Sequence, residues 1–371
     1  MKLLRVVASH FKNCADDYTI DLVARAKRTS EDCVYELQEI ASDLYTYKTA
    51  AFVGKNASGK TSALELLDWA YSILGEFRLE GKHADYEDVR LEIHFYHEGF
   101  IYRYRTTLKA DTNLGDKAIF VDQQLACKQY YKSYVKQIYD DNGYNAVPVT
   151  GALPEDTSIV FSVLQKRNTY ALYYDSEGKG TETYALLFRL LKYYQISTDM
   201  LYCVLRLFDA NVQELEMRDD HNYILRFADQ ERIMSDKELI YMLSSGTTKG
   251  ILLYVMAIAA LQNGIDLLID EIENHFHKTL VENLLSLFKD PLVNRQHASL
   301  VFTTHYCELL DHFNRQDNIW VAQAGDKVML KNLFEHYSAR SELLKSRRFY
   351  NNAFDTAVDY DALMALKAGL M

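Results

Sequence analysis

Hydrophobic and polar positions repeat along this chain with two periods, and the change of period divides it into three stretches. In the first, "RVVASHF" and "YTIDLVA" alternate and predict two paired strands. "KTAAFV" (48–53) is a short continuous apolar run, the pattern of a strand covered on both faces. From 61 to 77 the residues Ala63, Leu64, Leu67, Tyr71 and Leu74 recur at helical spacing, and Leu66, Ala70 and Ile73 widen the face. Such a helix should be heavily buried.

The middle, about 79–240, has another texture. "VRLEIHFYHEGFIYRYRTTL" (89–108) alternates on both sides of "HEG" and predicts a hairpin, and "LEMRDDHNYILRFA" predicts a second. "CKQYYKSYVKQIY" (127–139), "YALLFRLLKYY" and "MLYCVLRLF" have helical spacing. From 243 strands and helices alternate again. A helix over 247–262, the strand "IDLLID", a helix over about 276–288 and the strand "SLVFTTH" predict an α/β fold with a mostly parallel central sheet. The sheet is expected from 1–78 and 241–371, with 79–240 as an inserted α+β lobe of hairpins and helices.

Composition narrows the function classes. The chain has 371 residues, 49% apolar and 25% charged, the profile of a globular protein. Its formal net charge of -11 disfavours indiscriminate binding to nucleic acid. The 5 cysteines are scattered and form no CxxC pair, which argues against a disulfide framework or zinc knuckle and fits a reducing cytoplasm. "MKLLRVVASHFKNC" reads as a first strand rather than a signal peptide. The longest apolar run, 251–261, is too short to cross a bilayer, so no membrane association is expected.

Four segments carry candidate chemistry. Gly54 to Thr61, "GKNASGKT", fits G-x-x-x-x-G-K-[ST] between a predicted strand and a predicted helix. In such a loop Gly54, Asn56, Ala57, Ser58 and Gly59 would wrap backbone N–H groups around a β-phosphate. Lys60 would reach the β- and γ-phosphates, and the Thr61 hydroxyl would ligate Mg2+. "LLIDEIENHFH" (267–277) puts Asp270 and Glu271 at the carboxyl end of a buried strand, the edge where ligands sit in open α/β sheets. Asp270 would hold the metal and Glu271 would take a proton from an attacking water. "SLVFTTHYCELL" brings Thr303, Thr304 and His305 to the same edge, where His305 could orient that water on the γ-phosphate. "MLSSGTTKGILL" places Ser244, Ser245 and Gly246 before a helix, a serine hydroxyl and helix N-terminus suited to an anion.

These segments occur in the order phosphate loop, L-S-x-G, strand-D-E and strand-end histidine, with Leu243 27 residues before Asp270. The order resembles the ABC-type ATPase head found in transporter ATPases, SMC proteins and RecF. "GKNASGKT", "LSSGTTKG", "DEIENHFH" and "FTTHY" look like the compact ABC-type ATPases of the RloA and OLD-like group, often part of bacterial anti-phage defence. The resemblance covers roughly the first 78 residues and the last 130. It implies an ATP and Mg2+ site and a homodimer or higher oligomer closed by ATP. Lys60, Thr61, Asp270, Glu271 and His305 would act in one subunit, and Ser244, Ser245 and Gly246 in trans on the other. It also implies that His277 packs beside the nucleotide interface; as an H-x-H pair, His275 and His277 lack a third metal ligand nearby. The signature reads LSSG rather than LSGG, and Gln124 and Gln165 are the candidates for the Q-loop glutamine.

Two functions follow from different features. One is an ATP-driven switch controlling a separate effector, a nuclease or toxin, in anti-phage defence. The alternative is a RecF-like repair or recombination ATPase. It is motivated by Lys128, Lys132 and Lys136, which would form one basic stripe among Tyr130, Tyr131 and Tyr134 if 127–139 were helical. The 182 residues between Thr61 and Leu243 exceed the compact lobe of a transporter subunit.

Overall fold

The computed structural model describes residues 1–82, 86–111, 117–149, 151, 153–175, 183–219, 221–227, 230–274, 277–337, 344–350 and 360–370. One six-stranded sheet has the order Ala171–Asp175, Asp266–Asp270, Leu300–Thr304, Thr49–Val53, Ile319–Gln323 and Met329–Asn332. The first five are mutually parallel and the last is antiparallel. The inner strands Asp266–Asp270, Leu300–Thr304 and Thr49–Val53 are almost wholly buried because both faces are covered. Ala51, Val53, Leu267, Ile269, Leu300 and Phe302 enter the core shared with the helices Ser245–Asn263 and Lys278–Lys289. Their neighbours Ala50, Phe52, Leu268 and Val301 enter the core shared with the helix Lys60–Gly75.

A second sheet of six strands has the order Tyr18–Asp21, Lys2–Ser9, Val89–His97, Phe100–Ala110, Ala118–Gln129 and Asn145–Ala146. Its apolar face, including Val6, Ile93, Phe95 and Tyr104, shares a core with the same helix Lys60–Gly75. That helix therefore lies between two sheets, which explains why its apolar positions are too many for one stripe. Phe11 packs edge-on to Trp69 at 4.9 Å, which joins the first loop to the helix.

The stretch 79–240 does not form one inserted unit in this arrangement. Val89–His97 pairs with the N-terminal strand Lys2–Ser9, and Ala171–Asp175 pairs with Asp266–Asp270 in the parallel sheet. What remains apart is a lobe of the helices Thr183–Tyr193 and Thr198–Phe208, a three-stranded antiparallel sheet over Val212–Ser235 and the helix Asp236–Met242. This lobe packs on Ser245–Asn263. A Cβ at Gly250 would come within 2.1 Å of the Phe208 ring, so only glycine admits this approach.

The expected helix over 127–139 is not formed. Cys127–Gln129 continues a strand, with Cys127 opposite Tyr102, and a short 3-10 turn follows at Lys132–Gln137. Cross-strand pairing wins over the local helical spacing. The Lys128 ammonium donates to the carbonyls of Gln137 and Asp140 and lies 4.4 Å over the Tyr144 ring. Lys128, Lys132 and Lys136 thus share no helix face. Among the described residues no single helix is long and apolar enough to cross a membrane.

Candidate functional site

The phosphate loop leaves the buried strand Thr49–Val53 and runs into Lys60–Gly75. Gly59 has φ +92, and a Cβ there would lie 2.3 Å from Val328, so conformation and space both demand glycine. At Gly54 a Cβ would meet the Ser58 hydroxyl at 2.4 Å and the Ala322 carbonyl at 2.6 Å. Asn56 and Ala57 are exposed, while Ser58 is buried. The helix starts without a side-chain cap and without an acid in its first turn. Its free N–H groups and positive end are left for an anion.

Lys60 is only 5% exposed. Its ammonium donates to the carbonyls of Gly54 at 3.2 Å and Lys55 at 3.0 Å, and lies 3.4 Å from His305 Nδ1. Burial lowers its pKa, and the nearby carboxylates of Glu271, Glu273 and Asp270 work against that loss of charge. The lysine is held inside its own loop, next to the acids.

Asp270 stands between two hydroxyls. Thr61 Oγ1 donates to its Oδ2 at 2.9 Å and Thr303 Oγ1 to its Oδ1 at 2.6 Å. Burial raises the pKa of Asp270 while the two hydroxyls oppose the rise. An exposed threonine hydroxyl beside a carboxylate, at an uncapped helix start, is a hard oxygen set that fits Mg2+ held together with phosphates.

Glu271 turns away from Asp270 with φ +50. Its carboxylate accepts from the Asn274 side-chain amide and lies 3.6 Å from His305 Nε2. Lys60, His305 and Glu271 therefore form one continuous chain of contacts. Glu273 is buried and accepts from the His305 backbone N–H, so it fixes the loop. Thr303 and Asn274 are the parts of this cluster to which sequence reasoning gave no role. Asp175, at the end of the edge strand, is in register with Asp270. No local motif marks Thr303, because its hydroxyl acts on partners from another element.

Ser244, Ser245 and Gly246 lie outside this cluster. The Ser244 hydroxyl caps the helix Ser245–Asn263 by accepting from Thr247 N at 3.0 Å, and both serines are exposed. Among the described residues no hydrogen bond joins this turn to the phosphate loop. Neither glutamine candidate reaches the cluster. Gln124 is exposed in the antiparallel sheet opposite Arg105. Gln165 is exposed and three residues before Asn168, whose N–H donates to the Gly75 carbonyl. Gly75 ends the phosphate-loop helix, about 22 Å along its axis from Lys60. His277 caps Lys278–Lys289, its Nδ1 accepting from Thr279 N at 3.3 Å, and His275 lies outside the described residues. Among the described residues no group of three or more His, Cys, Asp or Glu is placed to hold a metal ion.

No curated protein matches the chain. A family model described as "AAA domain, putative AbiEii toxin, Type IV TA system" matches residues 198–311. The matched stretch contains Ser244, Asp270, Glu271 and His305 and begins after the phosphate loop. Together with the mixed α/β architecture, the match supports a P-loop ATPase of the ABC/AAA-like kind.

Proposed function

We propose that this chain is an ATP-binding and ATP-hydrolysing switch. The reading is carried by one observation: Lys60, Thr61, Asp270, Glu271 and His305 converge at the carboxyl edge of a parallel sheet, around an uncapped helix start. The triphosphate of ATP lies in the Gly54–Thr61 loop, with the helix N-terminus and Lys60 facing its β- and γ-phosphates. Thr61 and Asp270 would hold Mg2+, which when bound would neutralise charge on the phosphate oxygens. Glu271 accepts a proton from water as the water oxygen bonds to the γ-phosphorus. The bond from that phosphorus to the β-phosphate bridging oxygen breaks, and ADP and phosphate leave. His305 sits between the base and Lys60, where it orients both.

Ser244 and Ser245 are exposed and their turn makes no hydrogen bond to its own phosphate loop among the described residues, which suits a γ-phosphate held by a second copy. ATP then favours a closed homodimer or larger oligomer, and hydrolysis releases it. A shift from nearly all open to nearly all closed needs about 5.5 kcal/mol of differential affinity, which two shared nucleotides can supply. The family description names a toxin and a type IV toxin–antitoxin system. It supports a role in anti-phage defence, in which closure controls a separate effector in the cytoplasm. The lysine stripe that motivated a RecF-like function is not present as one face, so that reading has no observation of its own. The test is light scattering of Glu271→Gln with ATP and Mg2+: a doubled mass is expected, and an unchanged mass overturns the sandwich.

A further inference from the structure

The structure assigns to Thr303 a positioning role: one buried hydroxyl fixes both the carboxylate of Asp270 and the backbone of Glu271. The inference rests on the ATPase reading above and deepens it.

Thr303 is 0% exposed, at the end region of the strand Leu300–Thr304. Its Oγ1 lies 2.6 Å from Asp270 Oδ1 and 2.6 Å from Glu271 N. A backbone N–H can only donate, so the hydroxyl accepts from Glu271. Its single proton is then directed at the Asp270 carboxylate. Both bonds are satisfied in one orientation, and a methyl group in place of the hydroxyl would break both.

The turn explains the need. The parallel ladder runs from Leu267 opposite Leu300 to Ile269 opposite Phe302, and the chain leaves it after Asp270. The next two backbone donors both go to Thr303: Glu271 N to its hydroxyl, and Ile272 N to its carbonyl at 3.1 Å. Glu271 takes φ +50 at this point, a conformation that a non-glycine residue keeps only where its surroundings hold it. The left-handed turn sends the two acids to different partners, Asp270 to Thr61 and Glu271 to Asn274 and His305. Thr304 does not share the role, since its hydroxyl accepts from Tyr306 N at 2.9 Å in the following turn.

The test compares wild type, Thr303→Val and Thr303→Ser by thermal melting, calorimetric ATP affinity with and without Mg2+, and phosphate release. Thr303→Val is expected to bind metal-free ATP like wild type, to need about tenfold more Mg2+, and to turn over about 30-fold more slowly. Thr303→Ser, which keeps the hydroxyl, is expected to recover both to within about threefold of wild type. A Thr303→Val protein with wild-type turnover and Mg2+ requirement overturns the inference. So does a Thr303→Ser protein as impaired as Thr303→Val, because the hydroxyl would then not be the determinant. If Thr303→Val does not fold, Thr303→Ala takes its place with the same outcomes. Should wild type bind ATP yet release no phosphate, the functional reading fails on its own. The Mg2+ dependence of ATP affinity then decides for or against Thr303.

Discussion

Replacing Glu271 by glutamine removes one charge and almost no volume, and the structure separates its effect on turnover from its effect on folding. The Glu271 side chain is 36% exposed and lies 3.6 Å from His305 Nε2. A pair so open to solvent contributes at most about 1 kcal/mol to stability. Glutamine keeps an oxygen that accepts from the Asn274 amide, so the side chain stays in place. Its chemistry does not survive, because an amide cannot take a proton from water near neutral pH. General-base catalysis is worth about 10²- to 10⁴-fold, equivalent to about 3–5 kcal/mol of barrier. The expected outcome is a protein that melts within a few degrees of wild type, binds ATP as tightly, and turns over at least about a hundredfold more slowly. Calorimetry gives the affinity and a coupled phosphate-release assay gives the rate. Turnover within about threefold of wild type would show that the base is elsewhere. Loss of ATP affinity in step with turnover would make Glu271 a binding group and refute the assignment.

Two further outcomes are expected. Ser244→Arg puts a long cation on the exposed Ser244 turn, and should keep ATP binding by the single subunit while abolishing ATP-dependent mass increase in light scattering. Acid stability should depend on Glu92, whose carboxylate accepts from His94 at 2.7 Å and from Arg105. Burial alone would raise Glu92, but these two partners outweigh it and hold its pKa at about 2, against an ordinary 4.5. A carboxylate depressed on folding stabilises fully above its unfolded value, and that stability is lost as pH falls from about 4.5 towards 2. Burial also lowers the pKa of His94, whose unfolded form takes a proton first as pH drops below 6.5, so both groups give acid destabilisation. Melting scans of Glu92→Gln should show a flatter dependence over the lower range, and a profile parallel to wild type would contradict the assignment.

The parts of the fold that were legible in the sequence are the local ones. "KTAAFV" is one continuous apolar run followed by a glycine-bearing loop, and the strand Thr49–Val53 and helix Lys60–Gly75 stand there with all five strand residues buried. The boundaries at 79 and 240 were not legible. They depend on Val89–His97 pairing with a strand near residue 2 and on Ala171–Asp175 joining a strand almost a hundred residues later. The lysine and tyrosine spacing of 127–139 imitates a helix, but Cys127 and Lys128 are claimed by the strand Phe100–Ala110. In the site, the residue types of the phosphate loop and the D-E pair announced themselves. Thr303 did not, because a threonine at a strand end is ordinary until the partner of its hydroxyl is known.

The most direct measurement is Mg2+-dependent phosphate release from ATP by the purified wild-type protein beside Lys60→Ala. The account predicts steady turnover in wild type that requires Mg2+, with both nucleotide affinity and turnover lost when the buried ammonium is removed. Wild-type protein that takes up no ATP, or a Lys60→Ala protein that binds and hydrolyses it unchanged, would contradict the account.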